Sequence, residues 1–230
     1  MTALTPKSLL PLAFLALGAC TPLRMAAPSD LGQDVEVLET SGRSSARGSL
    51  IDESFNLGPY AVTAVDRDWT TSQTFSSGNQ SHENLRAGYT YKFGGGDSPA
   101  YEGLCAYRQN KGEANFGSMS ITSRHGVLTC RCEAKSGEFI NARLQGDGGK
   151  AVGNVTFGKE TLVITSVHDA QGGARVSDAI GYRIEGDSGL AAAEAVAPGR
   201  VWLRRDLRQD ERAAFSCLFS GMMLFDPPDN

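Results

Sequence analysis

The stretch Gly88-Tyr89-Thr90-Tyr91-Lys92-Phe93 alternates aromatic and smaller or polar side chains, residue by residue. Successive side chains of a β-strand point to opposite faces, so the pattern would bury Tyr89, Tyr91 and Phe93 on one face and expose the residues between them. A helix would need apolar residues three or four positions apart. This stretch therefore predicts a half-buried strand.

The same two-residue period recurs in short runs bounded by glycine, asparagine, aspartate or serine. The further runs are 60–64, 119–121, 140–144, 155–157 and 180–184. No helical pattern separates them, which favours antiparallel pairing over the alternating strands and helices of an α/β fold. We predict one mainly β domain over residues 51–230, an antiparallel sandwich or barrel that ends in a helix.

The composition limits the function classes. Of 230 residues, 40% are hydrophobic and 21% are charged, with a net charge of -4. This is too apolar for a disordered chain and too polar for a multi-span membrane protein. A weakly acidic chain also argues against nucleic acid as a partner, because nucleic-acid binders usually carry a basic patch.

The last part of the chain changes to a helical period. Asp206 is followed three residues later by Gln209, the arrangement of a helix N-cap, and Pro227 and Pro228 close the pattern. The spacing predicts a helix over about residues 207–225, with an apolar stripe formed by Leu207, Ala214, Leu218, Met222 and Phe225. We expect it to pack against its own sheet; docking into a membrane or a partner is the alternative.

The first twenty residues have the order of a secretory signal. Lys7 is followed by an apolar run from Leu9 to Ala19, which is too short for the ~20 residues that span a bilayer. The run ends in Leu17-Gly18-Ala19-Cys20. We predict a signal peptide over residues 1–19.

Those four terminal residues resemble the lipobox of bacterial lipoproteins. The resemblance implies cleavage before Cys20, a thioether link from its sulfur to diacylglycerol and acylation of its amine. It also implies a membrane as partner, bound through the acyl chains. Thr21 stands where Gram-negative lipoproteins retained at the inner membrane carry Asp, so the resemblance implies the outer membrane, facing the periplasm. The inner membrane and the cell surface are alternatives, as is an ordinary signal peptide.

Residues 20–50 are rich in proline, serine, glycine and alanine, which predicts a flexible tether behind the lipidated cysteine. A short strand at residues 35–38 of this segment is the alternative prediction.

Four further cysteines, Cys105, Cys130, Cys132 and Cys217, form an even set, which in an exported protein favours disulfides. Cys130 and Cys132 point to one face of a predicted strand, and a bond between them would close a small strained ring. We therefore expect Cys105 to pair with one of them and Cys217 with the other. Free thiols and a zinc site are the alternatives, although the spacing suits zinc poorly.

A serine hydrolase is a weaker possibility. Gly186-Asp187-Ser188-Gly189 resembles the nucleophile motif of trypsin-like proteases, and its first three residues that of GDSL-type hydrolases. All three histidines precede Ser188, and none has the sequence context of either family's base. A turn is favoured here. We predict no catalytic residue and no cofactor.

A pair of histidines and a group of arginines are candidates for binding sites. His125 and His168 both end an Ile-Thr-Ser-x-His run, and on neighbouring strands they would meet and bind a metal ion. We expect unrelated histidines rather than a metal site. Arg204, Arg205 and Arg208 are candidates for an anionic partner, although the acidic residues interleaved with them favour local ion pairs.

The sequence thus predicts a non-catalytic, lipid-anchored module of the cell envelope that binds a protein or a cell-wall component. The alternative is a carrier that holds a small apolar ligand inside the β domain.

Overall fold

The computed structural model describes residues 23–44, 52–68, 70–95, 98–147, 150–186 and 189–226. These residues form thirteen strands, a 3-10 turn at Ser29–Leu31 and the helix α1, Gln209–Leu224. The strands are β1 Val35–Ser41, β2 Phe55–Leu57, β3 Tyr60–Arg67, β4 Thr71–Ser77, β5 Gln80–Gly95, β6 Ser98–Phe116, β7 Met119–Ala134, β8 Phe139–Asp147, β9 Lys150–Phe157, β10 Glu160–Val167, β11 Gly181–Glu185, β12 Ala191–Glu194 and β13 Arg200–Arg204.

The strands close into an antiparallel barrel. Each strand from β5 to β13 pairs with the next in sequence, and β13 continues through β1 and β2 to β3. Because β3 also pairs with β5, twelve strands form a closed ring. β4 is an extra strand, which pairs with residues 80–86 of β5, ahead of the part of β5 that pairs with β3. The predicted antiparallel β domain with a terminal helix is confirmed, and the closure makes it a barrel.

The two-residue alternation sorts side chains between the lumen and the outer wall. Tyr89, Tyr91 and Phe93 are buried in the lumen, while Thr90 and Lys92 between them are exposed. Their neighbours on β6 follow the same register, since Tyr89 lies opposite Cys105. The barrel is therefore apolar inside and mostly polar outside.

Helix α1 lies inside this barrel. It packs against β6, β7 and β8 and against β12 and β13, and every residue from Ala213 to Leu224 is buried. A helix that is buried on all sides must be surrounded by structure, and here the barrel wall surrounds it. Among the described residues no helix combines the length and apolarity needed to cross a bilayer.

The start of α1 differs from the prediction. The helix begins at Gln209, and the N-cap is Arg208, whose backbone N–H donates to Glu211 Oε2 at 2.8 Å. Asp206 is not the cap, because its carboxylate accepts hydrogen bonds from Arg204 instead.

The structure places a strand within the expected tether, where the sequence offered a short strand at 35–38 as the alternative. Val35–Ser41 forms β1, which lies between β2 and β13 with Leu38 buried in the lumen. Two segments that are distant in sequence, β2 and β13, supply the hydrogen-bond partners of this strand. Further upstream, Met25 pairs with Ala170, so contacts with the barrel are made well before β1.

Candidate functional site: a projecting β ribbon

Two disulfides tie the interior together. Cys105 and Cys130 are directly opposite each other on β6 and β7 and are bonded, and Cys132 on β7 is bonded to Cys217 in α1. The predicted pair of disulfides is confirmed. All four cysteines are fully buried, and the second bond fixes the helix to the wall.

Tyr91 fills the space between wall and helix. Its hydroxyl donates to the Cys217 carbonyl at 2.8 Å. A Cβ atom on Gly103 would lie 2.1 Å from the Tyr91 ring, and one on Gly221 would lie 2.5 Å from its hydroxyl. Burial raises the pKa of Tyr91. The two glycines thus form a slot for the ring, and this part of the lumen is packed.

Two guanidinium groups hold the C-terminal end of α1. Arg43 donates to the Met223 carbonyl, and Arg67 donates to the Leu224 carbonyl at 2.7 Å. Arg67 also forms a two-point ion pair with the buried Glu53, at 2.7 and 2.6 Å, and these hydrogen bonds raise the pKa of Arg67. Positive charge at a helix C-terminus offsets its unpaired carbonyls. The helix is thus held at this end as well.

The two candidate histidines are not brought together. His125 is exposed on β7, whereas His168 follows β10, and β8 and β9 lie between those strands. Both ring nitrogens of the buried His168 have partners, Nε2 at 2.9 Å from Ser166 Oγ and Nδ1 at 3.2 Å from the Val176 carbonyl. Within the described part of the chain no three His, Cys, Asp or Glu side chains form a metal-binding group.

The arginine cluster has the carboxylate partners that the interleaved acidic residues indicate. Arg204 pairs with Asp206, and its hydrogen bonds lower the pKa of that carboxyl. The other two candidates pair as well: Arg205 with Asp34 at 3.4 Å, and Arg208 with Asp210 at 3.2 Å and Glu211 at 3.1 Å. Cys20, Asp187 and Ser188 lie outside the described residues.

A groove of about 660 Å³ lies on the outer wall of β5, β6 and β7. Leu104 is exposed within it, and the charges around it are of both signs. Arg131 pairs with Glu133 at 3.0 Å and stacks on Phe139. Two of the groove's charged side chains thus pair with each other.

The most distinctive surface is a ribbon that extends beyond the barrel. Strands β5, β6 and β7 have 16, 19 and 16 residues, whereas no other described strand exceeds nine. The pairing of β7 with β8 runs only from Gly126 onward, so 119–125 has no strand on that side. A four-stranded ribbon results. It consists of residues 119–125 of β7, 108–116 of β6, 80–86 of β5 and all of β4. At ~3.3 Å per residue it projects by about 25 Å.

The ribbon has two unlike faces. Its outer face continues the outer wall and carries Phe75, Phe116, Met119 and Ile121, which are 60%, 53%, 59% and 55% exposed. These residues lie close to the two turns at the ribbon's tip. Contiguous apolar patches of a few hundred Å² on soluble proteins often mark interaction sites.

The opposite face of the ribbon is polar and bonded within itself. Ser72 donates to Glu83 at 2.6 Å, and Ser120 and Asn115 each donate to Glu113 at 3.3 Å. Both carboxylates of the ribbon lie on this face, and none lies on the outer face of these described strands. The two faces of the ribbon therefore differ. On the outer face, exposed apolar side chains gather near the tip, and polar residues such as His82, Asn84, Asn110 and His125 occupy the part between the tip and the barrel.

Sequence reasoning missed this ribbon. The alternation at Met119 and Ile121 predicts a strand with an apolar face, but not that the face is exposed. One local signal was present: Ser and Thr fill most of β4, and at the start of β7 they alternate with Met119 and Ile121.

Comparison of the chain with protein-family models, with curated proteins and with solved structures gives no match.

Proposed function

We propose that this protein is a non-catalytic module of the bacterial envelope, anchored through acyl chains on Cys20, that binds with its outer surface. The ribbon is the binding element. The observation that carries this proposal is the exposed apolar tip formed by Phe75, Phe116, Met119 and Ile121. Such side chains cost free energy in water unless a partner covers them.

The way the N-terminal segment is attached supports a function at a membrane. The Arg24 carbonyl accepts from Gln171 N–H, and Ala26 N–H donates to the Asp169 carbonyl, both at 2.9 Å. Glu194, which is fully buried, accepts from Met25 N–H at 2.6 Å and pairs with Arg24. An anchor on Cys20 would therefore hold the barrel close to the bilayer rather than on a long tether.

The occupied lumen argues against the alternative of a carrier for an apolar ligand. Helix α1 takes the place that such a ligand would need, and the bond between Cys132 and Cys217 prevents it from leaving. Binding by the outer surface needs no such movement.

Labelling in cells tests the proposal. Cells that express the full chain are grown with labelled palmitate, and the Cys20→Ala variant serves as control. We expect label and membrane fractionation for the unchanged chain and no label for the variant. An unlabelled chain would overturn the anchor. The binding role is tested by crosslinking from a photoreactive residue at position 116 against one at position 152 on the outer wall of β9. Equal crosslinking from the two positions would contradict a binding ribbon.

A further inference from the structure

The ribbon and the N-terminal segment leave the barrel at the same rim. Alternate strands of an antiparallel sheet run in the same direction, so β6, β8, β10 and β12 all end at one rim. The last part of β6, residues 108–116, extends beyond this rim as part of the ribbon. Arg24 lies at the end of β12, where it pairs with Glu194, and Met25 lies beyond the end of β10, where it pairs with Ala170.

Chain length limits how far an anchor can lie from this rim. Cys20 precedes Arg24 by four residues, which span at most about 14 Å when fully extended. Strands of a barrel are tilted by roughly 40°, so a ribbon about 25 Å long still rises about 20 Å above the rim. The ribbon tip therefore reaches at least as far as the anchor.

The ribbon, which extends from β6, and Arg24, which lies at the end of β12, are on opposite sides of the rim. Six strand spacings separate β12 from β6 in the ring of twelve. A bilayer that holds Cys20 on one side of the rim thus faces the ribbon on the other side.

The outer face of the ribbon suits a phospholipid surface. Phenylalanine, methionine and isoleucine at the tip can enter the boundary between headgroups and acyl chains. Nearer the barrel, Arg86 and Arg108 lie opposite each other on the same face, and both are exposed. These arginines lie at the base of the ribbon, about 25 Å along the strands from the tip, so the apolar side chains of the tip make the contact with lipid. The four described strands of the ribbon carry no carboxylate on this face, and Asp147 at the end of β8 borders the face only at its base.

We propose that the tip of the ribbon, at Phe75, Phe116, Met119 and Ile121, inserts into the surface of the bilayer that holds the acyl chains of Cys20. This inference rests on the lipid anchor of the proposed function. The ribbon acts as a second membrane contact and orients the barrel with this rim toward the lipid. The partner is a phospholipid surface.

Lipid quenching tests the insertion. The acylated full-length product carrying Phe116→Trp is reconstituted in vesicles of phosphatidylethanolamine and phosphatidylglycerol, with bromine on the acyl chains. Val152→Trp, on the exposed outer wall of β9, is the matched control. The emission of the unsubstituted protein, which contains Trp69 and Trp202, is subtracted. We expect the brominated lipid to remove most of the emission from position 116 and little from position 152.

Each outcome is informative. The mass of the N-terminal peptide shows whether Cys20 is acylated. A chain without acyl groups contradicts the lipid anchor of the proposed function, whereas the quenching measurement tests the insertion of the ribbon. An acylated, vesicle-bound protein without quenching at position 116, and also without quenching in the second reporter Ile121→Trp, overturns the insertion. The emission at position 116 can instead shift to the blue as the protein concentration rises, without being quenched by brominated lipid. That result identifies a second copy of the chain as the partner and also overturns the insertion.

Discussion

Cys132 of β7 and Cys217 of α1 are covalently joined inside the barrel, with their Cα atoms 6.2 Å apart. The bond spans 85 residues of sequence, and a cross-link over so long a loop removes much conformational entropy from the unfolded chain. The helix is thereby part of the barrel core and not an appendage to it.

Removing this bond should be costly. We expect Cys132→Ala with Cys217→Ala to lower the free energy of unfolding by about 4–5 kcal/mol, and Cys105→Ala with Cys130→Ala by about 3.5 kcal/mol, because the second bond closes only 25 residues. Urea unfolding followed by circular dichroism measures both values. A loss below about 1 kcal/mol for the first pair would mean that packing alone retains the helix.

The slot around Tyr91 predicts an effect of adding a single methyl group. Gly103→Ala would place a Cβ atom 2.1 Å from the ring, so the ring and α1 must shift. We expect a loss of roughly 1–3 kcal/mol, as for other overpacked cores. Gly94→Ala is the control, since its Cβ would meet Ala100 at an ordinary 3.5 Å. Equal melting temperatures for the two variants would contradict the slot.

The buried Glu194 predicts how the N-terminal segment can be released. Glu194→Gln leaves Arg24 and Arg200 without their shared carboxylate, and breaking a buried ion pair costs about 3–5 kcal/mol. We expect trypsin to cleave after Arg24 much faster in this variant. Glu185→Gln is the control, because its pair with Arg183 is partly exposed. Unchanged cleavage in the Glu194 variant would show that other contacts hold the segment.

Buried phenols predict loss of stability at high pH. Burial raises the pKa of Tyr182 to about 12, while the same side chain in an unfolded chain ionises near pH 10. The folded state therefore keeps a proton that the unfolded state loses, and stability falls as the pH rises from about 10 to about 12. Tyr182→Phe should make this fall shallower, as measured by urea unfolding at each pH. The same slope in both proteins would show that Tyr182 is not responsible.

The sequence predicts those features that depend on neighbouring residues. Alternation at Tyr89, Tyr91 and Phe93 predicts a strand with the correct inner face, and the C-x-C spacing of Cys130 and Cys132 predicts two separate partners. A helix over the last part of the chain follows from its period and from the prolines that end it.

Features that depend on distant pairing do not follow from the sequence. β1 is held by residues 200–204, and the sequence offered this strand only as an alternative. The ring closes because β3 pairs with β5, although β4 lies between them in sequence. The apolar pattern of α1 indicates burial, but not burial inside a barrel. The exposed tip at Phe116 and Met119 has the sequence of an ordinary strand turn, and only the end of β8 shows that it projects.

Hydrogen exchange tests most directly the central claim, that α1 permanently fills the lumen and that binding takes place outside. We predict that the amides of Ala213–Leu224 exchange only by global unfolding, with the same free energy of opening as Tyr91 and Phe93 in the wall, while the amides of β4 exchange much faster. If the α1 amides exchange through a local opening while the wall remains protected, the lumen opens in the native protein, and the account is contradicted.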